Sequence, residues 1–187
     1  MAVLTNYETG VDSNRVIGDI SSGGEYQVRK AMSFKIPSAS MITTAELYLR
    51  TVGGITDPVT VSIQTNNGGV PSGTLVNASA TTTILAASVG AAYDWEVATF
   101  PASFALQANT TYHLVATVPD PQATNVSYDW GADGTSPGYA NGSEVSNVRE
   151  MPAETYNGWA ADANFDFYFR INGTVGIAST ANFLSLF

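Results

Sequence analysis

One histidine, no cysteine and sixteen acidic residues set the chemistry open to this chain of 187 residues. Without Cys there is no thiolate nucleophile, no thiolate metal site and no disulfide framework. A His-based triad would have to use His113, which alternates against Tyr112 and Leu114 in the run TYHLVATV and is expected on a solvent-facing side. The GxSxG elbow, the Walker loop and the HExxH helix are all absent. Carboxylates remain, and glycoside hydrolysis needs only a suitably spaced pair of them. Asp129 with Asp133, or Asp162 with Asp166, would be the pairs to consider. Sixteen acids supply such spacings by chance, and the expectation is a non-enzymatic protein. No cofactor is implied, with one alternative: Asp120, Asp129, Asp133 and Asp162, with loop carbonyls, are the hard oxygen ligands that Ca²⁺ takes. The segment from Asp129 to Gly134 lacks the alternating spacing of an EF-hand loop, and loop aspartates serve equally well as turn caps.

The densest mixture of aromatic and hydrogen-bonding side chains runs from residue 128 to residue 159. Sugar CH faces stack on rings, while neighbouring amides and carboxylates take the hydroxyls. The candidate glycan-binding set is therefore Tyr139, Tyr156, Trp130, Trp159, Asn141 and Asn157. Tyr139 and Tyr156, flanked by Gly and Asn, are the expected exposed pair. Trp130 and Trp159 fit a second role as plugs in the open end of a sandwich, because large aromatics are mostly buried.

The elements that must position these residues are strands. Period-two alternation recurs from Tyr26 onward and helical periodicity is nearly absent. Tyr26, Val28, Met32, Phe34 and Ile36 share one face, and Pro37 ends that run. Ala45, Leu47 and Leu49 alternate with Glu46, Tyr48 and Arg50. Val59, Val61 and Ile63 mark a further strand, closed by the turn-rich NNGGVPSG. Tyr93, Trp95 and Val97, then Tyr112, Leu114, Ala116 and Val118, then Val126, Tyr128 and Trp130, continue the pattern. Residues 131–158 are rich in Gly, Asn and Ser and read as a long loop. FDFYFRI follows, with Phe165, Phe167, Phe169 and Ile171 on one apolar face. Eight or nine strands at roughly ten-residue spacing argue an all-β, two-sheet antiparallel sandwich, jelly-roll in type. The expected organisation is an N-terminal arm or edge strand over 1–22, a sandwich over 23–173 and a C-terminal tail over 174–187.

Composition excludes several classes. Only 12% of residues are charged, against about 25% in ordinary globular chains. Seven Lys and Arg against sixteen Asp and Glu leave a net charge of −9, and residues 51–148 hold no Lys or Arg at all. Such a surface repels polyanions, so nucleic acid is not an expected partner. Twenty aromatic residues exclude a disordered chain, and no apolar run reaches the length that inserts in a membrane. Five Asn-X-Ser/Thr sequons, at Asn77, Asn109, Asn125, Asn141 and Asn172, arise by chance in so Thr- and Asn-rich a chain. The opening MAVLTNYETGVDSN has neither the basic nor the apolar region of a secretory signal, so the expectation is synthesis and release in a cytoplasm, a signal-trimmed form being the alternative.

The order of motifs resembles a family of bacterial and phage extracellular sandwich domains similar to carbohydrate-binding modules. The likeness is carried by Ile36-Pro37, by Ala45 to Leu49, and by Gly69-Val70-Pro71-Ser72-Gly73-Thr74-Leu75. It continues through Trp95 and Phe100 to Leu106-Gln107-Ala108-Asn109-Thr110-Thr111-Tyr112-His113-Leu114-Val115. Asn109 stands there where such domains often carry Gly, a tolerable exchange because Asn also visits the left-handed region. Tyr128 to Gly131, Gly138-Tyr139, Trp159 and the strand from Phe165 to Gly173 complete it. The resemblance covers about residues 26–173. It implies a jelly-roll sandwich in an extracellular or virion setting, with binding or structure rather than catalysis as its role. Three functions follow as expectations. The first is a structural protein on the exterior of a phage particle, a head decoration or tail component made in the host cytoplasm, with a glycan-adhesion role. Its partners would be other copies of itself, other virion proteins and a cell-surface glycan. The second is a secreted or cell-surface carbohydrate-binding module, and the third a glycoside-active enzyme.

The tail from Asn182 reads NFLSLF, and Phe183, Leu184, Leu186 and Phe187 left in water would forgo up to ~1.5–3 kcal/mol of burial each. They are expected to dock, either back on their own sandwich or on a neighbouring subunit or particle. Truncation after Thr174 separates the two. Loss of assembly or particle attachment from a folded shortened chain, read by sedimentation, assigns the tail to a neighbour. Lower stability at unchanged solution size assigns it to its own sandwich.

Overall fold

A computed structural model describes residues 1–8, 11–20, 26–118, 125–142, 144–150, 155–162 and 164–176; at 19–20, 26–28, 145–150, 155–157 and 161 the description is of backbone alone. The four tail residues Phe183, Leu184, Leu186 and Phe187, and Asp120, lie outside the described residues. Fifteen strand segments follow one another. The first eight are β1 (Ala2–Tyr7), β2 (Ser13–Ile17), β3 (Asp19–Ile20), β4 (Tyr26–Phe34), β5 (Ser40–Val52), β6 (Val59–Asn67), β7 (Val70–Leu75) and β8 (Thr81–Ile84). The remainder are β9 (Asp94–Leu106), β10 (Tyr112–Thr117), β11 (Ser127–Asp133), β12 (Glu144–Glu150), β13 (Thr155–Asp162), β14 (Asp166–Phe167) and β15 (Phe169–Val175). Among the described residues the one helical element is a 3₁₀ turn over Ala86–Ser88.

The strands form two antiparallel sheets packed as a sandwich. One runs β1-β15-β5-β11-β14, with β2 beside β11 and β9 beside β5. The other runs β13-β12-β4-β10-β6-β7, with β3 on β4 and β8 on β6. Alternation decides which side chains meet between them. Ala45, Leu47 and Leu49 of β5, Tyr128 and Trp130 of β11, and Phe169 and Ile171 of β15 face Met32 and Phe34 of β4, Leu114 and Ala116 of β10, and Val59, Val61 and Ile63 of β6; all are buried. The buried rings keep their polar ends satisfied, as low-dielectric burial requires. The Trp130 indole N–H donates to the Tyr168 carbonyl at 2.8 Å, and the Tyr128 hydroxyl donates to the Asp57 carbonyl at 2.6 Å. Asn109 adopts φ 54°, the left-handed backbone expected of an Asn that stands in place of Gly.

Three stretches of the chain depart from or add detail to the simple alternation. Residues 131–158 are not one loop: they contain all of β12 and the start of β13, a hairpin that extends the second sheet beyond β4. Its strands read EVSNVRE and TYNGWAAD, too polar to show an apolar face by alternation. Residues 1–20 supply β1, β2 and β3, with β1 on the edge beside β15 and β2 held against β11. The apolar run FDFYFRI is broken at Tyr168, where the chain forks: Tyr48 N–H donates to its carbonyl at 3.4 Å, while its own N–H donates to Gly131 at 3.0 Å. Phe165 stays packed against the core but is only half-buried, with the Arg15 guanidinium 3.5 Å from its ring centroid.

Phe167 is fully buried and stacks on Trp130 at 4.2 Å between centroids and 10° between planes. Phe167→Ala is expected to cost about 3–5 kcal/mol in chemical denaturation, since the cavity opens beneath a stacked indole that cannot collapse into it.

Candidate functional site

The second sheet curls. Five inter-strand steps of ~4.8 Å would hold β13 and β7 about 24 Å apart across a flat sheet, yet these two strands approach within 8 Å between Cα atoms. The face turned away from the core is therefore concave, and it encloses a cleft of about 300 Å³, at the small end of ligand sites. Its floor is β10, whose outward residues alternate with the core set: Val115 pairs in register with Ala31 and Ser62, and Thr117 with Arg29 and Thr60. Val115 and Ala31 form a small apolar cluster against which Val70 of β7 and Trp159 of β13 pack from the two sides. Trp159 is half-exposed and lines the cleft.

Apart from Gly73, Leu75 and Arg29, the rest of the described lining is hydroxyl and amide. Thr60, Ser62 and Gln64 come from β6, Thr81 from β8 and Thr117 from β10. Part of this array is already fixed by hydrogen bonds. Gly73 N–H donates to Gln64 Oε1 at 3.0 Å, and Gln64 Nε2 donates to Ser62 Oγ at 3.3 Å. Arg29, half-buried, supplies the one charged group among the described lining residues. Backbone register sets it on the same row as Trp159, with Asn147 between them: Trp159 pairs with Asn147 and Asn147 with Arg29. A ring over an apolar floor, with hydroxyls and amides beside it, can stack on a pyranose and hydrogen-bond its substituents.

The predicted glycan set is dispersed by the fold. Trp159 reaches the cleft, on a sheet face and not in the open end of the sandwich. Trp130 does not reach it: it is wholly buried between the sheets, so its role is packing. Tyr139, expected to be exposed, is half-buried instead. Its ring lies edge-on to Tyr7 and Phe169, and its hydroxyl is 2.9 Å from Thr5 Oγ1. A Gly-flanked tyrosine reads as a loop tip, but the β1 edge strand folds over it. Asn141 is exposed in the turn before β12. Tyr156 and Asn157 stand in β13, and their side chains lie outside the described residues. The cleft residues Arg29, Thr60, Ser62, Gln64, Thr81 and Thr117 were not singled out by sequence. Their signal was the polar phase of strands read only for their apolar phase.

The other sheet's outer face also carries rings, but guanidinium groups already lie on them. Arg170 sits over Trp95 at 3.8 Å and is gripped by Glu8 and Glu46. Arg50 lies 4.7 Å from the Tyr93 centroid and pairs with Asp129 at 2.7 Å. Tyr48 stacks on Tyr93 at 5.3 Å and packs against Tyr168. A sugar stacking there would have to displace an ion-paired cation.

The carboxylates considered for catalysis or metal are engaged one by one. Asp129 takes Arg50. Asp133 accepts the Tyr7 hydroxyl at 2.7 Å and the N–H groups of Thr135 and Ser136. Asp162 takes Arg15 and the Asn164 N–H. Asp166 accepts the Tyr139 N–H at 2.8 Å, and burial, with Asp133 directly opposite in register, raises its pKa. Among the described residues no three His, Asp or Glu side chains converge as metal ligands. No helix among them is long and apolar enough to cross a membrane.

His113 points out of the core as alternation requires, but it is fully buried and not solvent-facing. The β6–β7 hairpin curls over it, and its Nε2 meets Asn66 Oδ1 at 2.9 Å. Asn66 Oδ1 also accepts the Gly69 N–H, so Nε2 is the protonated nitrogen. Nδ1 is buried without a partner. The class that fold and cleft define is thus an antiparallel β-sandwich with a ligand-sized concave face. The chain matches no protein-family model and no curated protein.

Burial pushes the His113 pKa down to about 4 from 6.5. The unfolded chain then takes up the proton first as pH falls. Stability is therefore whole above about pH 6.5 and declines toward pH 4, by about 1 kcal/mol per pH unit. Urea melts at pH 7, 6 and 5 are expected to show this slope in the native chain and a flatter one in His113→Gln.

Proposed function

We propose that this protein is a non-enzymatic glycan-binding sandwich borne on the exterior of a phage particle, with the concave face of the second sheet as its binding site. The observation that carries the reading is the seating of Trp159: a half-exposed indole over an apolar floor of Val115 and Ala31, opening on a row of hydroxyl and amide side chains. Stacking needs the ring, and specificity needs fixed polar groups beside it. Gln64 and Ser62, tied to Gly73, are such groups. The non-catalytic reading is supported by the engagement of Asp129, Asp133, Asp162 and Asp166 in ion pairs and turn hydrogen bonds. The particle setting is supported by sequence: the resemblance to extracellular sandwich domains, the acidic Cys-free composition, and an apolar tail suited to docking on a neighbour.

Trp159→Ala is the direct test. The variant is expected to keep its cooperative melt, because the indole packs on a two-residue satellite cluster and not on the main core. Binding on a glycan array is expected to fall at least tenfold, since one sugar–ring stack is lost. Undiminished binding by the variant would remove the concave cleft as the glycan site.

A further inference from the structure

The orientation of one amide sets the hydrogen-bonding polarity of a cleft wall. Gly73 lies where the β6–β7 register shifts, at φ 79°, and donates its N–H to Gln64 Oε1 at 3.0 Å. That contact holds the Gln64 amide with Nε2 toward Ser62, whose Oγ accepts from it at 3.3 Å. An amide nitrogen carries two protons, and a hydroxyl that accepts still has its own to give. The second Nε2 proton and the Ser62 hydroxyl proton have no acceptor among the described residues, and both side chains line the cleft. Two donors thus stand side by side. An apolar group adjoins them: Leu75 of β7 pairs in register with Gln64 and also lines the cleft.

We infer that the cleft selects an N-acetylated amino sugar, with the acetamido carbonyl on Gln64 Nε2 and Ser62 Oγ and the acetamido methyl against Leu75. The inference rests on the glycan-binding reading and names the class of sugar. An amide oxygen offers two lone pairs to two donors and brings no proton of its own. A sugar hydroxyl in its place carries a proton that needs a further acceptor, and it has no methyl to set on Leu75. Acetamido therefore adds buried apolar surface at unchanged charge. Trp159 stands near enough for both contacts to be made by one sugar. It packs on Val115, and Val115 is in register with Ser62, one strand spacing of about 5 Å away. A pyranose stacked on the indole lies beside this wall and meets it through a short substituent.

The test changes the ligand first, so that its outcome does not hang on the folding of a variant. Calorimetric titration of the intact protein compares trisaccharides of N-acetylglucosamine or N-acetylgalactosamine with matching trisaccharides that carry hydroxyl in place of acetamido. The acetamido forms are expected to bind at least about tenfold more tightly, the worth of one hydrogen bond and a buried methyl. Added salt should leave that margin unchanged, since no charge is paired. In Gln64→Glu the side chain keeps its shape and still accepts from Gly73, but it presents an oxygen where Nε2 stood. The margin is then expected to vanish. Equal affinity of the acetamido and hydroxyl forms, or a margin that survives Gln64→Glu, overturns the inference and leaves the glycan reading standing. Binding of none of the trisaccharides overturns both.

Discussion

A buried charge has to be paired, and here that requirement ties the two sheets together. Lys30 and Glu144 point inward from the second sheet, with 3% and 0% exposure. Their ends lie 3.8 Å apart, and burial lowers the lysine's pKa. Glu144 stands directly opposite Asp162 across the β12–β13 hairpin, an arrangement of like charges that would push the strands apart. Arg15 resolves it by reaching from β2 of the other sheet, donating through Nε to Glu144 at 2.8 Å and through its terminal nitrogen to Asp162, with its guanidinium flat on Phe165. Removal of one member would leave charge stranded in low dielectric, the costly way to break such a network. The cluster does for this end of the sandwich what apolar contact does for the rest. It holds a hairpin whose own strands are too polar to be held by a hydrophobic face.

The rest of the architecture follows from that anchorage. With β12 and β13 fixed beyond β4, the second sheet is wide enough to curl until β13 nears β7, and the curl makes the cleft. Trp159 stands on the same hairpin that Arg15 secures. Neighbouring cations in sequence serve opposite faces: Lys30 looks inward to Glu144, while Arg29 lines the cleft. The first sheet takes the opposite course. Its outer rings are closed by Arg50 and Arg170, each held by carboxylates, so that face is a finished surface.

Where one face of a strand is apolar, alternation identifies its inward residues. Leu47 and Leu49 in β5, Val59, Val61 and Ile63 in β6, and Phe167 and Phe169 around the fork are buried as their phase requires. The hairpin β12–β13 could not be read that way, because it owes its position to ion pairs between residues far apart in the chain, Arg15 and Glu144 for one. Lys30 is the instructive case. It stands in phase with Met32 and Phe34, and only the three-dimensional arrival of Glu144 explains a cation there. Composition drew attention to the aromatic stretch from 128 to 159, yet burial of a ring depends on the strand that covers it. Trp130 falls under the opposite sheet and Tyr139 under β1, while Trp159 alone of the three stands in the cleft. The polar row beside the cleft floor is built from Thr, Ser and Gln side chains, residue types that carry no motif.

The curl of the second sheet has a further effect, on solubility. Unpaired strand edges invite pairing with other chains and so seed aggregation. By bringing β7 and β13 together over one concavity, the sheet turns its two terminal strands toward each other, where a foreign strand has little room to align. The first sheet guards the long strand β9 by other means. Pro101 lacks the N–H a docking strand would need, and Asp94 and Glu96 repel an identical copy. A chain this poor in charge and rich in strand can thus be displayed at high local density without its copies zipping together.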